Sequence, residues 1–282
     1  MDIDLLRTFL QITETGHFIR AAERLNVTQS TVSARIRELE LRLGRTLFLR
    51  GRSGAVLTPA GRHFLPHAAS MVRIWNQARH EVGLPQDYET VLAAGGQFTL
   101  WDGVLQRWLA WMRRAAPRVA LRAEVGRPDE LSRMLSDGTL DLAVLYAPQP
   151  RPGLRIEPLL DERLVLVASR AVEPWPGGSD YIFVDWGPDF RTDHAAAFPE
   201  IETPALTVGL GAIALAHILA AGGSGYFPIR IVTEPLQAGV LTQIPGAPEF
   251  ARRAFVVWQE RDDLALEDAV RGLREVAAAE AG

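Results

Sequence analysis

The side chains with the clearest chemical potential lie between residues 28 and 37. Short hydroxyl and amide groups stand there beside arginines: Thr28, Gln29, Ser30, Ser33, Arg35 and Arg37. Hydroxyl and amide groups can hydrogen-bond to the edges of bases, and arginine can pair with guanine or with a phosphate. A helix that combines such residues with an apolar back can lie in the major groove of DNA. The segment therefore predicts a recognition helix for double-stranded DNA.

The flanking residues predict the scaffold that would position this helix. Apolar residues at helical spacing predict a first helix over residues 5–12 and a short second helix over 18–25. Asn26 suits a tight turn, and Thr28 suits the N-cap of a third helix over residues 29–43. The stripe that would face the core in this third helix is Val32, Ile36, Leu39 and Leu43.

A hairpin is predicted directly after the third helix. Short strands over residues 46–50 and 55–57 flank a Gly-Arg-Ser-Gly turn. Arg50 and Arg52 are then placed to lie beside the phosphate backbone of DNA, as a wing does. Helices and hairpin together predict a winged helix-turn-helix domain over residues 1–58.

Residues 59–88 predict a long linker helix, which begins at Thr58 and Pro59. Its apolar residues repeat at alternating steps of four and three, the spacing of a seam between two paired helices. These residues are Phe64, Ala68, Met71, Trp75, Ala78 and Val82. The seam predicts that two chains dimerise, and the alternative is that the same residues pack on the chain's own body.

Composition excludes several kinds of chemistry. The chain of 282 residues has no cysteine, and all 30 of its basic residues are arginine, which excludes disulfides, thiol catalysis and a Schiff-base lysine. His63 and His67 stand four residues apart but lack a third ligand, so no metal site is expected. The segment Gly222–Tyr226 lacks the final glycine of a nucleophile elbow. We expect neither catalysis nor a cofactor.

Charge is divided unevenly along the chain. The first 80 residues hold 12 arginines against 6 acidic residues, a net charge of +6, and the other 202 hold 18 against 28, a net charge of −10. A basic head on an acidic body is typical of a protein with one nucleic-acid-binding domain.

Apolar runs fall short of the ~18–20 residues that a membrane span needs, and acidic residues stand where a signal peptide would be basic. We therefore expect a cytoplasmic protein without a membrane partner.

Residues 89–282 alternate between strand and helix patterns, which predicts an α/β domain with a mostly parallel sheet. The strand patterns lie at residues 91–94, 119–125, 142–146, 164–167, 181–184, 206–208 and 254–258, and the helix patterns at 101–112, 129–136, 212–221 and 264–279. In such sheets a ligand binds beyond the carboxyl ends of the strands. The residues at those positions are Gln97, Phe98, Thr99, Trp101, Tyr146, Asp185, Trp186, Leu210 and Phe227. The aromatic rings suit a planar organic ligand, and a helix N-terminus suits a carboxylate. Asp102 and Asp185 suit a cationic group instead.

The first sixty residues resemble the LysR-type transcriptional regulators. The resemblance is carried by Leu5–Phe9, Ala21–Leu25, Thr28–Ser30, Ser33–Glu40, Leu43–Gly44, Leu47–Phe48, Arg50 and Leu57–Gly61. It implies a homodimer or homotetramer that binds DNA, senses a small organic effector and acts with RNA polymerase at promoters, as an activator or a repressor. It also implies that Gln29, Ser30, Ser33 and Arg35 face the major groove and that Arg50 and Arg52 lie on the wing.

Some residues depart from this family pattern. His17 and Ile19 stand where the family usually has serine or threonine, and Ala34 stands where a longer polar residue is common. Base preference therefore stays open.

The body resembles the HdfR-like subgroup of the same family through Leu100–Trp101, Trp186–Phe190 and His194. This resemblance implies two Rossmann-like subdomains joined by two crossings, as in periplasmic binding proteins. Subdomain I would comprise residues 89–160 and 260–282, and subdomain II residues 161–259. The alternative function is a small-molecule-binding protein without sequence-specific DNA binding.

Overall fold

The computed structural model describes residues 2–51, 54–151, 153–169, 178–201 and 204–280. A winged helix-turn-helix domain comes first, a long linker helix follows it, and an α/β domain completes the chain. This order agrees with the predicted architecture.

The first domain contains α1 (Ile3–Thr15), α2 (Phe18–Leu25), α3 (Gln29–Leu43), β1 (Phe48–Gly51) and β2 (Gly54–Leu57). Asn26 ends α2 in the left-handed conformation, with φ of 53°. Thr28 then caps α3, because its side chain accepts a hydrogen bond from the amide N–H of Thr31. These two neighbouring residues set the turn between the helices.

Phe9 lies at the centre of this domain's core. Its ring is 5.2 Å from the rings of both Phe48 in the wing and Phe64 in the linker helix, measured between centroids. Three residues of the predicted stripe in α3 are fully buried against α1 and α2: Val32, Ile36 and Leu39. Leu43, the last residue of α3, is exposed.

The linker helix α4 (Pro59–Glu81) divides the predicted dimerisation stripe into two parts. Three of the six residues pack into the core of the first domain: Phe64, Ala68 and Met71. Three lie on exposed surface at the C-terminal half of the helix and just beyond it: Trp75, Ala78 and Val82. In the C-terminal half of α4 the buried positions are instead Val72, which packs in the core of the first domain, and Asn76, which contacts Arg7 of α1 and the main-chain oxygen of Asp137. Ala68 is fully buried within its own chain and has no surface left for a partner.

The α/β domain begins with β3 (Thr90–Gly96), α5 (Phe98–Leu100), a kinked segment (Trp101–Leu105), α6 (Gln106–Ala115), β4 (Val119–Val125), α7 (Pro128–Ser136) and β5 (Leu142–Tyr146). It continues with β6 (Leu154–Ser169), β7 (Ile182–Val184), α8 (Pro188–Ala197), β8 (Leu206–Val208), α9 (Gly211–Ala221), β9 (Ser224–Pro228), α10 (Ile229–Gln237), β10 (Leu241–Gln243), β11 (Phe250–Gln259) and α11 (Leu264–Glu280). The sequence patterns missed α8 and α10.

The main sheet has the strand order β10-β6-β11-β5-β3-β4, with β9 also paired to β6. Among the described residues of this sheet, the parallel pairings are those of β3 with β4 and β5, whereas β6 and β11 pair antiparallel with their neighbours. The prediction of a mostly parallel sheet is therefore wrong. The cause is that β6, at 16 residues, runs through both subdomains beside β11, and the sequence pattern had indicated only its second half.

Three buried hydrophobic clusters of the described residues lie on this sheet. Two belong to subdomain I: one joins α6 and α11 around Trp108, and the other packs α7 on the opposite face through Leu131 and Leu135. The cluster of subdomain II joins β6, β9 and α9 around Tyr226 and Phe227. β6 and β11 belong to both subdomains, so these two strands form the connection across which the subdomains face each other. In the described part of the chain, no helix is long and apolar enough to cross a membrane.

A histidine is buried in the core of subdomain II. The Nε2 atom of His194 is hydrogen-bonded to the hydroxyl of Tyr181 at 2.6 Å, and aromatic rings enclose the imidazole. Burial lowers the pKa of His194 from its ordinary value of 6.5 to about 4.

We expect His194 to make the fold less stable in mild acid. Between pH 6.5 and 4 the unfolded chain binds a proton at this position and the folded chain does not. The free energy of unfolding should therefore fall as the pH falls, by at most about 1.4 kcal/mol per pH unit from this residue. Denaturant unfolding at several pH values measures the slope. His194→Gln should flatten it, and His217→Gln, at an exposed position, should leave it unchanged.

Candidate nucleic-acid interface and effector cleft

The N-terminal turn of α3 is open to solvent. Gln29 and Ser30 are exposed, and the hydroxyl groups of Thr28 and Ser30 lie 2.8 Å apart. Ser33, one turn further along, is partly buried. With 100° between successive residues, Ser30 shares the outward face of the helix with the exposed Arg37. The amide group of Gln29 and the hydroxyl group of Ser30 are therefore accessible to a molecule that binds the surface of α3.

Arg35, which the resemblance places in the major groove, contacts α1 in this structure. Its Nη2 atom is 3.0 Å from a carboxylate oxygen of Asp4, and its Nη1 atom donates to the hydroxyl of Thr8 at 3.4 Å. Both partners belong to α1, so Arg35 joins α3 to α1 instead of facing outward. The physical reason is that Arg35 stands beside the buried stripe, on the side of α3 that α1 covers.

We expect Arg35→Ala to change stability more than base preference. The ion pair with Asp4 is partly exposed, so its loss should cost about 0.5–1 kcal/mol of unfolding free energy. Denaturant unfolding of Arg35→Ala, Asp4→Asn and the double variant should show that the two losses do not add. Unchanged stability together with a relaxed choice of bases would instead place Arg35 in the groove.

The wing is only partly described. The backbone of Arg50 lies in β1 opposite Ala55, which agrees with the predicted hairpin. Arg52 lies outside the described residues.

The second site lies where the two subdomains meet. Glu162 of β6 and Arg252 of β11 are directly opposite each other in the sheet, so their side chains project from the same face. Tyr146, at the end of β5, donates its hydroxyl hydrogen to Oε2 of Glu162 at 2.6 Å. Arg230 of α10 donates from Nε to Oε1 of the same carboxylate at 2.5 Å. A buried carboxylate thus connects elements of both subdomains.

Arg252 lies against one aromatic ring from each subdomain. Its guanidinium carbon is 3.3 Å from the ring centroid of Tyr146 and 5.2 Å from that of Trp186. These distances allow cation–π attraction to both rings. The Nη1 atom is buried and has no hydrogen-bond partner among the described residues. Burial lowers the pKa of Arg252, because a charged group loses hydration there.

Arg230 also reaches across to subdomain I. It donates from Nη2 to the main-chain oxygen of Thr99 at 2.5 Å and from Nη1 to the main-chain oxygen of Asp102. These carbonyl groups are available because the helix is interrupted at Gly103, whose φ of 90° favours glycine. One arginine therefore holds the two subdomains together at the cleft.

The structure brings some of the predicted effector residues to this cleft. Gln97 accepts a hydrogen bond from the amide N–H of Tyr146 at 2.8 Å, and Thr99 contributes its carbonyl oxygen to Arg230. Trp186 stands beside Arg252, with its indole N–H bonded to the main-chain oxygen of Tyr226 at 2.7 Å.

Other predicted effector residues lie in the cores or on the surface. Trp101 packs in the core of subdomain I and donates its indole N–H to the main-chain oxygen of Glu124, and Phe227 is fully buried in the core of subdomain II. Asp185 is paired with Arg191 at 2.7 Å. Phe98 is 46% exposed, and Leu210 is partly exposed before α9. α5 is one turn long, so the expected helix N-terminus for a carboxylate is absent from this described segment.

Three residues of the cleft escaped the sequence analysis: Glu162, Arg230 and Arg252. A signal existed for the first and third, because strand side chains alternate between faces. Alternation from Leu160 and Leu164 places Glu162 on the buried face, and Phe250 and Ala254 do the same for Arg252. Arg230 had no comparable signal, since its helix had not been identified.

No group of three or more histidine, aspartate or glutamate side chains in the described ranges could hold a metal ion. His63 and His67 are exposed on α4.

Known proteins share both domains. A family model described as "Bacterial regulatory helix-turn-helix protein, lysR family" matches residues 3–62, and one described as "LysR substrate binding domain" matches residues 92–281. The chain is 31% identical to the HTH-type transcriptional regulator HdfR of Escherichia coli O17:K52:H18 over 266 residues, which cover 93% of this chain and 94% of that protein.

Solved structures match nearly the whole chain. ArgP from Mycobacterium tuberculosis is 25% identical with a TM-score of 0.61, over 99% of this chain and 98% of that one. Full-length LysG from Corynebacterium glutamicum, with bound effector Arg, is 19% identical with a TM-score of 0.60, over 99% of each chain, and shows the shared fold. With both family models matched and a relative of this identity, the chain belongs to the LysR family of transcriptional regulators, which are not enzymes.

Proposed function

We propose that this regulator binds two-fold symmetric promoter sites through the N-terminal turn of α3. The observation that carries the proposal is the exposure of Gln29 and Ser30 above a fully buried stripe, with Arg37 on the outward face of the helix. Short polar groups can hydrogen-bond to base edges, and an exposed arginine can pair with a base or a phosphate. Arg50 and Arg52 of the wing would add contacts to the backbone of the duplex.

Two chains would pair through the exposed part of α4. Trp75 is 48% exposed and Val82 is 90% exposed, and both belong to the stripe with heptad spacing. Ile74, next to Trp75, is also exposed. Pairing would set two copies of α3 on successive turns of the major groove, either in a dimer or within a tetramer of two dimers.

An effector would bind in the cleft between the subdomains and shift how the dimers lie on DNA. Arg230 supports this part of the proposal, because it contacts both subdomains and a ligand that altered its contacts would alter their relative position. Such a regulator would act with RNA polymerase, in the cytoplasm. The domains would be residues 1–58, 59–88 and 89–282.

Sequencing the genomic DNA fragments retained by the purified full-length protein tests the proposal. At physiological salt, binding through phosphates alone is weakened, and specific binding survives. We expect a few enriched sites with two-fold symmetry, located near promoters. Folded protein that enriches no fragment, with or without cell-extract metabolites, would favour a small-molecule-binding protein without sequence-specific DNA binding.

A further inference from the structure

We propose that the effector is a small organic carboxylate and that Arg252 binds it. The proposal rests on the function proposed above and gives the effector its chemical class. Arg252 presents a buried N–H group that lacks a hydrogen-bond partner among the described residues, between aromatic rings that belong to the two subdomains. Buried donors are usually paired, so this one is a site for an acceptor.

The charges around Arg252 favour an anion. Arg230 and Arg252 supply two positive charges. Glu162 supplies one negative charge, and both of its carboxylate oxygens already accept hydrogen bonds. Asp185 also lies near enough to act on Arg252, but its charge is balanced by that of Arg191. The group therefore keeps an excess of one positive charge in a place with little water. A buried charge is costly unless it is paired, and a single carboxylate would restore the balance.

A cationic effector fits this cleft poorly. The two acidic residues that had suggested one are not available to it. The side chain of Asp102 is exposed, and it is the main-chain oxygen of this residue that meets Arg230. Asp185 accepts hydrogen bonds from Arg191 and from the amide N–H of Gly187.

An inorganic dianion such as phosphate fits less well than a carboxylate. It would add two negative charges where the excess is one, and its several oxygens would each need a donor. The buried rings of Tyr146 and Trp186 flank Arg252 and give it apolar surroundings, which suit an organic group better than a phosphate. The geometry therefore favours an organic monoanion with one carboxylate end.

Thermal unfolding of the full-length protein with paired probes tests this assignment. The probes are acetate, butyrate, benzoate and indole-3-acetate, each compared with its neutral amide at equal ionic strength, together with benzamidinium and phosphate. We expect at least one carboxylate, at about 20 mM, to raise the Tm by about 3 °C or more, because a ligand that binds only the folded state stabilises it. Its amide should give no comparable shift.

Arg252→Gln should abolish the carboxylate-induced shift. Arg253→Gln is the matched control, because Arg253 is the next residue in β11 and pairs with Asp161 on exposed surface. This control should keep both the shift and the retention of genomic DNA. Arg252→Lys serves if Arg252→Gln does not fold: lysine keeps the charge but loses the planar fork, so the shift should shrink.

Several outcomes would overturn the inference. The first is a Tm shift that is equal for a carboxylate and its amide. The second is the absence of a Tm shift with every carboxylate, whether or not benzamidinium or phosphate gives one. The third is a full carboxylate-induced Tm shift in the folded Arg252 variants. Retention of genomic DNA by the wild-type protein is scored separately. Enriched promoters without a carboxylate shift would leave the proposed DNA-binding function standing and remove only the effector class. A carboxylate shift without retained DNA would leave the carboxylate site standing and remove the proposed DNA-binding function.

Discussion

Replacing Ser30 with glutamate should lower the affinity for an enriched promoter fragment by about 100-fold or more. The new carboxylate would stand on the outward face of α3, where it would be repelled by phosphates and could not replace the hydroxyl as a donor. Loss of one base contact alone costs about 1–3 kcal/mol. The fold should survive, because Ser30 is exposed and an acidic residue in the first turn favours the helix.

Fluorescence anisotropy with a labelled duplex measures this change. Thr242→Glu is the matched control, because it adds the same charge at an exposed position of β10 in the other domain. The control should bind DNA as the wild type does. If Ser30→Glu remained folded and bound the fragment with the affinity of the control, the turn of α3 would not be the DNA-binding surface.

Replacing Trp75 with aspartate should weaken dimerisation by about three orders of magnitude. Large aromatic residues at the centre of an interface contribute about 2 kcal/mol or more each, and a two-fold axis counts the change twice. Two aspartates would also face each other across the seam. The helix itself should persist, because Trp75 is half exposed and lies outside the core of the first domain.

Light scattering over a range of protein concentrations measures the oligomeric state. Trp75→Phe keeps an apolar aromatic ring and should remain dimeric. The affinity of Trp75→Asp for DNA should fall as well, because a monomer has one recognition helix and can bind only one half-site of the promoter. A Trp75→Asp protein that stayed dimeric at micromolar concentration would move the interface away from this half of α4.

Local patterns determined most of the first domain. Asn26 and Thr28 act within a few residues of their own positions, through a left-handed turn and a cap on the next helix. The stripe of Val32, Ile36 and Leu39 follows from helical spacing alone. Such features need no knowledge of distant residues, which is why the helices and their turn could be predicted.

The tertiary structure decided the orientation of individual polar side chains. Arg35 was expected at the groove, but its partner Asp4 lies 31 residues away in a helix whose crossing with α3 no local pattern reveals. The heptad spacing of α4 was ambiguous for a similar reason. Apolar spacing identifies a helix face that must be buried. It does not show whether that face packs against the same chain or against a second chain.

The sequence by itself determined the family, the two-domain order and the presence of an α/β body that can hold a ligand. Only the tertiary structure decided what lines the cleft. Glu162 and Arg252 meet because two strands far apart in the chain pair side by side, and Arg230 reaches Thr99 across 131 residues. The charge of the cleft is a property of this pairing, since buried charges gain their partners only when the distant elements come together.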